Sequence, residues 1–189
     1  MIYKKGFFGE GIIATIRDEQ FVDEVVKSEV KIVFLLTGNI FNLENVVRTI
    51  QESGKFVFVN IDFLEGLSKD YMAVDFISKR VRPDGIITAK KNLISIAKEM
   101  GIYSIFRINV VDSASLKFCN EIIVQAGPDA LELTPGIIHK VTRLFKANYK
   151  IPIITGGLIE TDDDIVKCRD AGADGIATSN AALWDIRVF

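Results

Sequence analysis

Residues 151–180 have the sequence IPIITGGLIETDDDIVKCRDAGADGIATSN, and this stretch contains one complete repeat of the chain. An apolar run, Ile151–Thr155, is followed by two glycines, an amphipathic segment over Asp162–Ala171 and a second apolar run over Gly175–Thr178. The runs lack polar alternation, which is typical of parallel strands covered by helices. The stretch therefore predicts a strand, a helix and a second parallel strand joined by a right-handed crossover.

The same unit recurs along the chain and predicts the number of strands. Eight apolar runs alternate with seven amphipathic segments, whereas an open flavodoxin-like sheet needs about five or six strands. We therefore predict a closed (β/α)8, TIM-barrel-like fold with a short last helix over Ala181–Ile186, in which the first strand pairs with the last. The predicted strands are Gly11–Ile16, Lys31–Leu36, Phe56–Ile61, Gly85–Ile87, Tyr103–Arg107, Ala130–Leu133, Ile151–Thr155 and Gly175–Thr178. The predicted helices are Glu19–Lys27, Leu43–Glu52, Lys69–Lys79, Lys91–Met100, Ser113–Gln125, Ile137–Lys146 and Asp162–Ala171.

Composition indicates a single soluble domain over residues 1–189, because 49% of the residues are hydrophobic and 25% are charged. No apolar run approaches the roughly 20 residues that a membrane span needs. The chain has two isolated cysteines and one histidine, so we predict no metal site. It also lacks a dinucleotide-binding fingerprint, so we predict no cofactor. A reducing cytoplasmic setting is the default for such a chain. The sequence pI of about 5.5 argues against general binding to polyanions, so any RNA contact needs a local basic patch.

The strongest functional signal lies at the ends of the last two predicted strands. Gly156 and Gly157 follow the seventh strand, and Ser179 and Asn180 follow the eighth. Either pair alone is typical of a tight turn or a helix N-cap. Sites in this fold form at the carboxyl ends of the strands, where backbone N–H groups and helix N-termini favour anions. Together the two pairs predict a phosphate-binding cup.

Three charged residues at other strand ends are candidates for ligand contact. Asp62 is predicted either to accept hydrogen bonds from a polyol hydroxyl or act as a base, or to brace a loop. Arg107 suits a carboxylate or phosphate, and a structural ion pair with Glu132 or Asp62 is the alternative. Glu132 lies between two apolar residues, which favours an inward-facing functional role or a charge network with Arg107.

Basic residues form two candidate RNA-binding surfaces. Lys79, Arg80 and Arg82 precede the fourth predicted strand, and Lys90 and Lys91 follow it, so we predict that the two groups could meet in space. Each basic residue taken singly is typical of a solvated helix face. The second surface is the helix face that carries Lys140, Arg143 and Lys146.

Several sequence blocks together resemble the glycerol uptake operon antiterminator family over nearly the whole chain. The blocks are VFLLTGNI at 33–40, GKFVFVNID at 54–62 with EGL at 65–67, PDGIIT at 83–88, VDS at 111–113, PDALELTPG at 128–136, IPIITGGLI at 151–159, and TSN at 178–180 with LW at 183–184. Members of the family tend to have histidine where this chain has Asn60.

The resemblance implies a TIM-barrel-like regulator that responds to glycerol 3-phosphate and binds leader mRNA ahead of glycerol-metabolism genes. It implies that glycerol 3-phosphate occupies the cup of Gly156, Gly157, Ser179 and Asn180, with the three charged candidates near the glycerol moiety or beneath it. The resemblance does not decide whether the chain forms a homo-oligomer. Because this fold hosts many chemistries, a phosphosugar or phosphoglycerol enzyme such as an isomerase, lyase or prenyltransferase is the alternative. A metabolite-binding protein with neither the regulatory nor the enzymatic activity is the third possibility.

Overall fold

The computed structural model describes residues 8–9 and 11–187. Eight parallel strands close into a barrel in sequence order, and the closing pair joins Ile12 to Ile176 and Ala14 to Thr178. The predictions of a closed barrel and of pairing between the first and last strands are confirmed. The single domain predicted over 1–189 includes residues 1–7, 10, 188 and 189, which lie outside the described residues.

The strands are short, as the apolar runs predict. Their bounds are β1 Gly11–Ile16, β2 Ile32–Leu35, β3 Phe56–Asn60, β4 Gly85–Thr88, β5 Tyr103–Asn109, β6 Ala130–Thr134, β7 Ile153–Gly156 and β8 Gly175–Thr178.

Helices cover the outside of the barrel between successive strands. Their bounds are α1 Val22–Lys27, α2 Leu43–Glu52, α3 Tyr71–Phe76, α4 Lys91–Met100, α5 Ser113–Ala126, α6 His139–Asn148 and α7 Asp162–Asp170. Helix α3 begins two residues later than predicted because Asp70 caps it, accepting from the Ala73 N–H, and it continues as a π-helical turn over Ile77–Val81. The short last helix is a single 3-10 turn, Ala181–Leu183. Among the described residues, none of these helices has the length and apolarity to cross a membrane.

The barrel interior is apolar toward the amino-terminal ends of the strands and polar toward their carboxyl ends. Aromatic rings fill its lower part, where the ring centroid of Phe58 lies 5.9 Å from that of Phe34. Side chains alternate between the two faces of a strand, so residues two positions further along point the same way. Three polar residues each lie two positions after a buried apolar residue of the interior. They are Asn60 after Phe58, Arg107 after Ile105, and Glu132 after Ala130. The inward-facing positions near the carboxyl ends of these strands are therefore polar.

Candidate functional site

A cavity of about 380 Å³ opens at the carboxyl ends of the strands. Its lining comes from the ends of β1, β2, β5, β6, β7 and β8 and from the loops that follow them. The lining residues are Thr15, Arg17, Leu36, Arg107, Glu132, Gly157, Leu158, Ile159, Glu160, Ser179 and Asn180. The structure thus brings Gly157, Ser179, Asn180, Arg107 and Glu132 of the sequence prediction into one cavity.

The loop after β7 is held in place through its carbonyl groups. The Gly136 N–H donates to the carbonyls of Gly156 and Gly157, at 2.7 and 3.0 Å. The Thr178 hydroxyl donates to the Ile159 carbonyl at 2.8 Å, and the Asn180 amide donates to the Glu160 carbonyl at 3.1 Å. These bonds fix the loop against β6 and β8.

Several N–H groups of this loop, and that of Ser179 after β8, have no hydrogen-bond partner within the described part of the chain. In a trans peptide the N–H points opposite to the preceding carbonyl, so the N–H groups of Gly157 and Leu158 point away from Gly136. Among residues 8–9 and 11–187, the N–H groups of Gly157, Leu158, Ile159 and Ser179 have no hydrogen-bond acceptor. Unused backbone N–H donors in the lining of one cavity are typical of an anion site.

The backbone around these donors has an unusual conformation. Gly157 and Leu158 both have positive φ angles, of 81° and 60°. A non-glycine residue in this region is uncommon, and such strain clusters at functional sites. Leu158 is also 60% exposed at the cavity rim, so no burial of its side chain explains the conformation.

Gly156 and Asn180 have structural roles, which the sequence analysis gave as the alternative to phosphate binding. Gly156 does not line the cavity, and a Cβ atom there would lie 3.1 Å from the Glu132 carboxylate. The Asn180 side chain caps the last 3-10 turn by accepting from the Ala182 N–H at 3.2 Å. Asn180 therefore shapes the cavity wall with both ends of its amide already engaged.

Arg107 and Glu132 form a buried pair at the floor of the cavity. They are register partners on β5 and β6, and their side chains are 10% and 4% exposed. The Arg107 Nη1 atom lies 3.8 Å from Glu132 Oε2, and neither atom has a hydrogen-bond partner. Burial raises the pKa of the Glu132 carboxyl, and the positive charges of Arg107 and Arg17 oppose that rise only in part.

Arg17 lines the cavity and Asn60 is a buried polar residue of β3, and the sequence reasoning selected neither as a site residue. Arg17 lines the cavity, and it makes no hydrogen bond or ion pair among the described residues. Alternation from Ile13 through Thr15 places its side chain on the inner face, which is the signal that could have found it. Asn60 is fully buried, and its Nδ2 atom has no partner.

Asp62 does not line the cavity. Its carboxylate accepts from the Thr88 hydroxyl at 2.9 Å and from the Ala89 N–H at 2.7 Å, which ties the end of β3 to the end of β4. Nearby, the Lys69 ammonium donates to the carbonyls of Ile61 and Leu64. These contacts agree with the loop-bracing alternative for Asp62.

Replacing Asp62 by alanine is expected to lower the free energy of unfolding by about 1 kcal/mol, because the buried Thr88 hydroxyl loses its acceptor. Asp62→Asn, which keeps one acceptor oxygen, should lose less. The dissociation constant for glycerol 3-phosphate should stay within about threefold of the wild-type value in both variants. Chemical denaturation and calorimetric titration measure the two quantities. A large loss of ligand affinity without loss of stability would instead place Asp62 in the ligand site.

The two basic groups around β4 lie at opposite ends of the barrel. Lys79 and Arg80 belong to the turn that precedes β4, whereas Lys90 and Lys91 follow its carboxyl end. A strand advances about 3.3 Å per residue, so the length of β4 separates the two groups. The prediction that they could form one patch is wrong. One group precedes β4 and the other follows it, so the two groups lie at opposite ends of that strand.

The amino-terminal end of the barrel carries a basic groove of about 410 Å³. Its cations are partly compensated, because Lys79 pairs with Asp75 at 2.5 Å and Arg80 with Glu44 at 3.0 Å. Exposed ion pairs of this kind contribute little energy and exchange readily for other anions. The residues that line the groove are Glu44, Arg48, Gln51, Lys79, Arg80, Val81 and Arg82.

The second basic surface lies on helix α6. Lys140 and Arg143 are exposed one helical turn apart, and α6 contains no acidic residue. Lys146 pairs with Asp174 at 2.5 Å. Within the described ranges no group of three His, Cys, Asp or Glu side chains could hold a metal ion.

The closed parallel barrel and the cavity at its carboxyl end define the class: a (β/α)8-barrel protein with a small polar pocket in the standard position for this fold. Residues 12–184 match the family described as "Glycerol-3-phosphate responsive antiterminator". The chain belongs to that family.

Two solved structures have antiterminator names, and a third relative is similar to this chain over most of its length. A crystal structure of a glycerol uptake operon antiterminator regulatory protein from Listeria monocytogenes is 31% identical, with a TM-score of 0.90, and the match covers 94% of this chain and 96% of that one. An antiterminator-related protein from Thermotoga maritima is 32% identical, with a TM-score of 0.84, over 94% of this chain and 99% of that one. The uncharacterized protein YgcP of Escherichia coli is 30% identical over 93% of this chain and 92% of its own length.

Proposed function

We propose that this protein binds glycerol 3-phosphate in the cavity at the barrel mouth and, in response, binds the leader mRNA of glycerol-metabolism genes as a transcription antiterminator. The proposal includes a cytoplasmic setting and a regulatory role without catalysis. The observation that carries it is the set of unused backbone donors at Gly157, Leu158 and Ser179, in a chain of this family.

The charges of the cavity suit a phosphate monoester. Arg17 and Arg107 place two guanidinium groups in its lining, and Glu132 and Glu160 place two carboxyls there. Guanidinium groups pair well with phosphate oxygens, and Arg17 makes no competing ion pair among the described residues.

Two surfaces are candidates for the RNA contact, and we favour the groove at the amino-terminal end. Four of its lining residues are basic, namely Arg48, Lys79, Arg80 and Arg82, against one acidic residue. A chain with a net charge of −2 must concentrate its cations to bind RNA, because affinity follows the number of phosphates neutralised. The α6 face is the alternative surface, while Lys90 and Lys91 lie at the ligand end.

The test is a thermal-shift titration followed by a gel shift on leader RNA, with and without the ligand. Glycerol 3-phosphate should raise the melting temperature, and it should strengthen RNA binding because a ligand shifts an equilibrium through its differential affinity for two states. RNA affinity should fall steeply as salt increases. Turnover of a phosphorylated triose or glycerol, with no leader binding at low salt, would favour the enzyme alternative.

A further inference from the structure

The floor of the cavity contains a donor and an acceptor that face each other across a gap. Arg107 Nη1 and Glu132 Oε2 are 3.8 Å apart, which is too long for a hydrogen bond. Both atoms are buried, and both lack a hydrogen-bond partner. A buried charged group without its hydrogen bond costs free energy, so an arrangement of this kind needs a third group to complete it.

We propose that one hydroxyl group of the ligand bridges Arg107 and Glu132, and that this bridge makes the site selective for a polyol phosphate. A hydroxyl oxygen accepts from the guanidinium while its proton is donated to the carboxylate, so one atom satisfies both residues. Two hydrogen bonds of about 2.8 Å that share one oxygen can span a separation of 3.8 Å, so the distance between the two atoms suits a bridge by a single oxygen.

The position of the pair relative to the phosphate donors indicates which hydroxyl forms the bridge. Gly156, on the neighbouring strand, lies so close to Glu132 that an added Cβ would be 3.1 Å from Oε1. Gly157, whose N–H is one of the unused donors, is the next residue along the chain. This closeness of Glu132 to the phosphate donors favours the hydroxyl on the carbon next to the phosphoester carbon as the bridging group.

This bridge separates ligands that carry the same phosphate. A carbonyl oxygen can accept from Arg107 but cannot donate to Glu132, so its lone pairs face the carboxylate. A ligand without an oxygen at this carbon leaves both residues unmatched or bridged by water. Sites that hydrogen-bond a hydroxyl discriminate strongly against analogues that lack it. The inference rests on the proposed phosphate site and adds the two residues that would recognise the ligand beyond its phosphate.

The experiment compares three phosphates by calorimetric titration of the full chain. They are sn-glycerol 3-phosphate, dihydroxyacetone phosphate with a carbonyl at the central carbon, and 1,3-propanediol monophosphate with no oxygen there. We expect dihydroxyacetone phosphate to bind about 100-fold more weakly than glycerol 3-phosphate, and the deoxy compound about tenfold more weakly because water can replace the hydroxyl.

Glu132→Gln tests the role of the carboxylate with a near-isosteric side chain. A glutamine amide can also donate to a carbonyl, so the preference for glycerol 3-phosphate over dihydroxyacetone phosphate should fall to below about fivefold. The control is Glu65→Gln, which removes one negative charge from an exposed loop at the same end of the barrel and should keep the full preference. The melting temperature of each variant reports whether it folds.

The outcomes distinguish the two proposals. Equal affinity of wild-type protein for all three phosphates would overturn the hydroxyl bridge and leave the phosphate site standing. Failure of all three to bind would overturn the phosphate site and the bridge together. Retention of the full preference in folded Glu132→Gln protein would also overturn the bridge.

Discussion

Gly157→Val is expected to abolish measurable binding of glycerol 3-phosphate, with a loss of affinity of at least about 100-fold, while the barrel still folds. A β-branched residue strongly disfavours the φ angle of 81° at this position, so the loop must turn its N–H groups away from their present direction. The nearest atoms to a Cβ here are 3.8 and 3.9 Å away, which is an ordinary van der Waals contact, so the Cβ atom itself causes no clash. Strain of about 1–3 kcal/mol is the expected cost in stability.

Gly54→Val is a matched control for this experiment. Gly54 follows α2, has a φ angle of 83° and has no atom within 4 Å of the position that a Cβ atom would occupy. The same substitution there should cost a similar amount of stability, and it lies far from the cavity lining. Calorimetric titration and thermal unfolding of both variants measure the two effects. Wild-type ligand affinity in Gly157→Val would remove the phosphate-cup proposal.

Charge reversal at Arg80 and Arg82 is expected to reduce leader RNA affinity by about 100-fold at low salt and to leave glycerol 3-phosphate binding unchanged. Both residues line the groove at the amino-terminal end, whereas the ligand cavity lies at the other end of the strands. Each cation that contacts an RNA phosphate contributes about one to the slope of log affinity against log salt, so the slope should fall by about two. Gel shifts at several salt concentrations measure both quantities.

Lys140→Glu with Arg143→Glu is the control, because it reverses the same number of charges on the α6 face. Both double variants carry the same net charge, so a general electrostatic effect would weaken RNA binding equally in both. Loss of RNA binding in the α6 variant alone would instead place the RNA interface on that helix. A homodimer would double either surface and steepen the salt dependence.

The order of strands and helices was predictable because it depends on local patterns. Apolar runs bounded by glycine, and amphipathic segments of about ten residues, predict a strand or a helix wherever they occur. Eight such units predict closure, and the pairing of β1 with β8 follows from it. Gly157, directly after β7, could also be located, because a chain that must turn sharply at positive φ uses glycine there.

The contents of the site were decided by tertiary structure. Barrel closure brings Arg17, which follows β1, into one cavity with Ser179, which follows β8, although 162 positions separate them in the chain. Side-chain direction turns the Asp62 carboxylate toward β4, and it leaves Arg107 and Glu132 facing each other across 3.8 Å. Strand direction separates the two basic groups that are neighbours in sequence. The physical reason is that periodicity records which face of an element is buried, whereas the partners of a polar side chain depend on register and closure between strands distant in the chain.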